Sequence, residues 1–160
     1  MKRIKLYLDT SIPSFLFADD APEKREATRQ FWNLLGLNMH DVVISDILFS
    51  EIGKSCQPLR THLEEAVAGL KATFIPVTEE ADTLAHLYIH YEIIPEKYYD
   101  DALHIALATL SNCDALLSWN FKHIVKLKTM RGVNAINKLE GYSEIQLLTP
   151  QSWLEGDDNE

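Results

Sequence analysis

Acidic residues recur in this chain beside apolar runs that ought to bury them. Asp9 closes the run Ile4-Lys5-Leu6-Tyr7-Leu8 and is followed by Thr10 and Ser11. Glu51 lies within Ser45-Asp46-Ile47-Leu48-Phe49-Ser50-Glu51-Ile52, and Asp101 opens Asp101-Ala102-Leu103-His104-Ile105-Ala106-Leu107-Ala108. A further polar cluster, Ser118-Trp119-Asn120, closes Ala115-Leu116-Leu117. A carboxylate beside a core is costly unless it is paired or binds a metal. Several such places in one small chain point to a shared metal site.

The elements that must position these groups can be read from the spacing. Residues 5–8, 42–45, 73–77, 115–118 and 145–148 read as short strands, separated by helical patterns. That alternation predicts an α/β fold with a central parallel sheet of about five strands flanked by helices. A short helix follows the first strand at residues 12–17. Pro22 suits the first turn of a helix running to about Leu35, with Asp20 in position to cap it. Ser45 is placed to cap the helix that carries Glu51. Further helices are expected over residues 58–70, from Thr78 to about Tyr91, and from Asp101 onward after the break at Pro95. The stretch 121–141 is helical but weakly periodic. Asp9 and Asn120 therefore fall just beyond the C-terminal ends of two strands, where open parallel sheets bind ligands. Glu51 shares a helix face with Ile47 and Leu48, and Asp101 shares one with Ile105 and Ala108, so both point inward.

Length and composition set the frame. With 160 residues and a 46% hydrophobic fraction, a single domain with a real core is expected over residues 1–150. Residues 151–160 are acidic and expected as a flexible tail. No apolar stretch approaches a membrane span, and the N-terminal run is too short for a secretory signal. Cys56 and Cys113 form no CxxC pair, which fits reduced thiols in a cytoplasmic protein and excludes a cysteine-rich zinc site. The net charge of −9 does not favour phosphate binding. From residue 121 to 138, however, there is no acid, while Lys122, Lys126, Lys128, Arg131 and Lys138 are all basic.

Taken singly, each acid has a commoner use: Asp9 in a strand-ending turn, Glu51 paired with a base, Asp101 at a helix start, Asn120 as an N-cap. Taken together, the ordered set Leu6-Tyr7-Leu8-Asp9-Thr10-Ser11, Ser45 to Glu51, Asp101 to Ala108 and Leu116 to Phe121 resembles the PIN-domain family, and within it the VapC-like toxins of toxin–antitoxin pairs. The resemblance covers residues 5 to about 150. It implies a three-layer α/β fold and a Mg²⁺- or Mn²⁺-dependent ribonuclease acting on RNA. It also implies a homodimer and a small antitoxin protein as partner. By position, Asp9, Glu51 and Asp101 match the family's metal-binding acids, and Thr10 or Ser11 and Ser118 its small polar site residues. One departure stands out: the last motif usually ends in Asp, and here it ends in Asn120. The loss of that charge should weaken a second metal ion more than the first.

On this reading Ser118 and Thr10 position water or a phosphate oxygen, and Lys122, Lys126 and Arg131 hold the RNA backbone. His104 lies three residues past Asp101, but a structural histidine is the stronger reading. His86 and His90 are spaced i,i+4 and lack the third ligand of a catalytic zinc site. Two other functions compete. A weakened PIN domain could bind RNA or a protein without cutting. A phosphatase using Asp9 as nucleophile would need an acid where Ser11 stands. No GxxxxGK[ST] or GxGxxG motif supports nucleotide binding.

Overall fold

The computed structural model describes residues 2–158. Strand β1 (Lys5–Leu8) leads into a short helix α1 (Ser11–Phe15) and then α2 (Pro22–Leu35). Strand β2 (Asp41–Ser45) is followed by α3 (Asp46–Gly53) and α4 (Leu59–Ala68), and β3 (Ala72–Ile75) by α5 (Glu79–His90). A 3₁₀ turn (Glu96–Tyr98) opens into α6 (Tyr99–Leu110), which returns to β4 (Ala115–Leu117). The chain ends with α7 (Leu127–Leu139), β5 (Gln146–Leu148) and α8 (Pro150–Asp158).

All strand pairings are parallel, in the order β3-β2-β1-β4-β5. The chain builds outward from β1 to β3, then crosses to the other side of β1 for β4 and β5. The connection order therefore reverses between β1 and β4, where Leu6 pairs with Ala115 and Leu8 with Leu117. A crevice forms at such a switch point because the adjoining connections leave on opposite faces.

Side chains alternate across the sheet and feed two cores. Tyr7, Val43, Leu116 and Leu147 pack with residues of α5, α6 and α7. Leu6, Leu8, Val42, Ile44 and Leu117 pack on the other face with Phe31, Leu48 and Leu63 of α2, α3 and α4. Leu6, Tyr7 and Leu8 are all fully buried, as a central strand covered on both faces requires. Each fully buried Leu stabilises the fold by about 1.5–3 kcal/mol relative to exposure.

The expected parallel α/β sheet is found, with several local differences. Strand β3 ends at Ile75, because Pro76 has no N–H for the ladder. Asp20 does not cap α2; the N-cap is Ala21, without a side-chain hydrogen bond. Ser45 occupies the N-cap of α3, but its hydroxyl hydrogen-bonds Tyr7 rather than the helix. The segment 151–160, expected as a flexible tail, is helical through Asp158. Thr149 Oγ1 accepts from Ser152 N–H at 3.0 Å, which caps this helix, and Trp153 and Leu154 anchor it on the core. Glu160 and Asn159 lie outside the described residues. No described helix is long and apolar enough to cross a membrane.

Candidate active site

The crevice at the β1–β4 switch point holds a cavity of about 330 Å³ whose walls include Asp9, Thr10, Glu51, Asp101, His104 and Asn120. Four separate elements deliver these groups. Asp9 and Thr10 follow β1, Glu51 comes from α3, Asp101 and His104 from α6, and Asn120 from the turn after β4. A larger groove of about 790 Å³ lies at the opposite end of β4 and β5, lined by Ile4, Asp114 and Arg131. It collects no cluster of catalytic groups, so size does not identify the site.

Asp9 is only 4% exposed and firmly held. Its Oδ1 accepts from Ser11 N–H at 3.0 Å and Ser11 Oγ at 2.5 Å, and its Oδ2 accepts from Ser118 Oγ at 2.5 Å. Burial pushes its carboxyl above the ordinary Asp value, with His104 and these hydrogen bonds pulling the other way. Ser118 is fully buried and its Oγ also accepts from Asn120 N–H at 2.9 Å. It lies beneath the cavity and positions Asp9, rather than facing water or phosphate as the sequence suggested. Replacing Ser118 with Ala should weaken divalent-ion binding about 10–100-fold through the loss of this support. Isothermal titration of Mn²⁺ into the full chain checks it; unchanged affinity would remove Ser118 from the site.

Glu51 Oε1 accepts from Thr10 Oγ1 at 3.0 Å and lies 3.2 Å from His104 Nε2. Partial burial works to raise this carboxyl, but His104 and the Thr10 hydroxyl outweigh it and hold it below the ordinary Glu value. His104 is 2% exposed. Its Nδ1 lies 2.6 Å from Tyr7 Oη, which is 2.8 Å from Ser45 Oγ. Nε2–H donates to Glu51, and the Tyr7 hydroxyl bridges Nδ1 and Ser45 Oγ, so every polar atom of this buried chain has a partner. His104 is therefore a structural histidine that orients Glu51. Tyr7→Phe leaves Nδ1 and Ser45 without their buried partner and should lower stability by about 1–3 kcal/mol. Urea unfolding of the two proteins measures it; an unchanged midpoint would show the hydroxyl idle.

Asp101, in the first turn of α6, is also displaced from the ordinary Asp value. Burial pushes it up to about 6; the charges of Asp9 and Glu51 add to the rise, while His104 and Asn120 oppose it. Asn120 Nδ2 donates to Asp101 Oδ2 at 3.1 Å, and Asn120 Oδ1 accepts from His123 N–H at 2.9 Å. Asn120 caps a turn rather than a helix, since α7 begins only at Leu127 with Lys126 as its N-cap, and the same side chain also reaches Asp101. Its carbonyl serves the cap, and its amide faces the acid.

The site residues expected from the sequence fall into three groups. Asp9, Thr10, Glu51, Asp101 and Asn120 come together around the cavity, and Ser118 supports them from below. Lys122 and Lys126 are exposed on the turn leading into α7. Arg131 is not with them: it lines the groove at the other end of the sheet. Sequence reading passed over Lys24, whose Nζ lies 5.6 Å from the Phe15 ring at the cavity wall. Nothing in its own surroundings in the sequence marks it.

Among the described residues, no three His, Cys, Asp or Glu side chains form a group that could hold a metal ion as placed. The chemistry of the set nevertheless suits a hard divalent cation. It offers carboxylate oxygens and no thiol; burial raises both Asp9 and Asp101, and the charges of Asp9 and Glu51 raise Asp101 further, which a cation would relieve.

An acid-lined crevice at the switch point of this five-stranded parallel sheet is a PIN-like α/β architecture. The PIN domain family matches residues 6–123, more than half of the sequence, and the chain belongs to that family. No curated protein matches the chain. Among solved structures, it is similar to a chain in the crystal structure of VapBC2 from Rickettsia felis bound to a DNA fragment from their promoter. The TM-score is 0.59 at 14% identity, over 91% of this chain and 98% of that one, which is a likeness of fold.

Proposed function

We propose that this chain is a metal-dependent endoribonuclease and the toxin of a toxin–antitoxin pair. The observation that carries this is the convergence of Asp9, Glu51 and Asp101 on one cavity at the switch point. Asp9, Asp101 and Glu51 are the residues that would hold Mg²⁺ or Mn²⁺. When bound, such an ion polarises a phosphoryl oxygen and lowers the pKa of water. The chain's own contribution is placement. Ser11 and Ser118 fix Asp9, Thr10 and His104 fix Glu51, and Asn120 fixes Asp101. Lys122 and Lys126 can contribute to holding the RNA backbone, but the position of Arg131 gives it no support as part of the same patch. A cytoplasmic setting, a homodimer and a small antitoxin protein that blocks the cavity belong to this proposal. The VapBC2 complex is in keeping with the last of these.

A catalytically weakened RNA- or protein-binding module is the second reading. Asn120 favours it, since an amide stands where the family usually has an acid. A nucleophilic Asp9 is disfavoured by its 4% exposure and by the hydrogen bonds on both of its oxygens. The deciding experiment is cleavage of a mixed RNA pool by the purified full chain with Mg²⁺, Mn²⁺ or EDTA. Metal-dependent cutting is expected. RNA binding with no cutting under any metal condition would favour the second reading.

A further inference from the structure

The carboxylate cavity has an aromatic wall that hydrolysis leaves unused. Phe15, at the end of α1, lines the cavity. The rings continue to Trp119, 5.8 Å from Phe15 between centroids, and on to Phe121, 6.2 Å from Trp119. Trp119 is buried and fixed, its indole N–H donating to Thr28 Oγ1 at 2.8 Å. Phe121 is 50% exposed, in the turn that Asn120 caps. Lys24 Nζ lies 5.6, 5.8 and 5.2 Å from the centroids of Phe15, Trp119 and Phe121. Among the described residues no carboxylate forms an ion pair with Lys24. Its charge is held over aromatic faces at the rim of an acidic cavity.

This combination suits one class of ligand. A phosphate approaching three carboxylates is repelled, and a cation at the rim offsets that repulsion. A base needs a π-face, and Phe121 offers one in solvent. Bases inside a duplex are already stacked, so such a ledge selects unpaired nucleotides. We propose that Lys24, Phe15 and Phe121 hold an unpaired nucleotide of the RNA substrate beside Asp9 and Asp101. The inference rests on the ribonuclease reading for its substrate, but binding tests it separately from cleavage.

The experiment is fluorescence anisotropy with the full chain in EDTA, using a short labelled RNA, single-stranded or annealed to its complement. The single strand should bind at least about tenfold more tightly than the duplex. Phe121→Ala should weaken single-strand binding about fivefold or more, the loss of one stacked base, while Phe121→Tyr retains it. Lys24→Ala should lower affinity and reduce the salt slope by about 0.7, while Lys24→Arg restores both. Lys24 is a second, independent probe should truncation of Phe121 disturb the turn. Equal affinity for the two RNA forms, or no RNA binding by the full chain, would overturn the proposal. So would unchanged binding in folded Phe121→Ala and Lys24→Ala variants, which would leave the ledge as a protein-docking surface. Phe121-dependent binding without metal-dependent cutting would sink the nuclease reading and keep the ledge. Cutting with Phe121-independent binding would do the reverse.

Discussion

Replacing Asp101 with Asn is expected to remove metal-dependent RNA cleavage and, in EDTA, to raise the melting temperature at pH 8. The two effects share one cause. Asp101 is held in a partly buried place beside Asp9 and Glu51, so its charge is useful only when a cation answers it. Losing one of the three acids proposed to hold the ion should lower activity by more than about a hundredfold, since even supporting partners of ligands are worth 10–100-fold. Asn has the same shape and can still accept the hydrogen bond from Asn120 Nδ2 through its carbonyl. The stability gain follows from the direction of the shift. The folded carboxyl is raised to about 6 from the ordinary Asp value of 3.8. Below about pH 4 the group is protonated in both states and contributes no penalty. As the pH rises toward and past 6, the unfolded chain ionises more readily, and the folded protein loses stability. The advantage of Asp101→Asn should therefore be absent near pH 4 and complete above about pH 6. A gain of a few degrees is expected, on the scale of roughly 2–4 °C per kcal/mol for a chain of this size. Calorimetry at pH 4 and pH 8 with and without Mn²⁺, beside the cleavage assay, decides it. A variant that cuts RNA normally would remove Asp101 from the proposed metal site. One with no pH-dependent gain would contradict the charge crowding.

The sheet and the meeting of the acids were legible because both rest on local patterns. The apolar strand runs and the helices between them predict a parallel sheet. In such a sheet Asp9 and Asn120 must fall at strand C-termini. Helix α2 was readable from Pro22 at its start and its apolar face. Helix α7 was read as helical within 121–141 but its period and start were not legible, because it buries Thr129 and Asn137 along with Val133 and Ile136. Asn137 pairs with Tyr88 and Thr109, residues far away in sequence, so its polarity is misleading without the fold. The basic stretch is divided between two ends of the sheet for a related reason. A helix advances about 1.5 Å per residue, and α7 carries its later bases away from the crevice. Arg131 consequently joins Asp114 and Ile4, which stand at strand beginnings. The aromatic ledge and the Ser45–Tyr7–His104–Glu51 chain assemble residues from separated segments, and no spacing in the sequence encodes such contacts. Helix α8 had a readable start at Thr149-Pro150, but the acidic residues after it obscured the Trp153 and Leu154 anchors.

Asn120→Asp should make the chain bind Mn²⁺ more tightly while making the metal-free protein less stable. In the present arrangement the side chain has two separate tasks. Oδ1 accepts from His123 N–H, and Nδ2 donates to Asp101 Oδ2. An aspartate keeps the first, because either oxygen can accept from the backbone. It reverses the second, setting a carboxylate oxygen against another at a place where Asp101 is already raised. With no ion present, this like-charge contact destabilises the fold and drives Asp101 further up. With an ion present, one more hard anionic ligand strengthens binding, because affinity for such cations follows the number of charged ligands. The metal concentration for half-maximal cleavage should fall roughly tenfold or more. The melting temperature should drop in EDTA and recover more steeply on adding Mn²⁺ than in the unchanged chain. The opposite signs separate a metal-site role from a purely structural one. If Asn120 only caps the turn, the aspartate will do so equally well, and neither metal demand nor metal-free stability will move. If it stands in place of an acid, its amide screens Asp101 in the absence of the ion at the expense of affinity in its presence. The same variant then tests the weakened-module reading: cutting that appears or rises with Asp at 120 would identify the missing charge as what limits this chain.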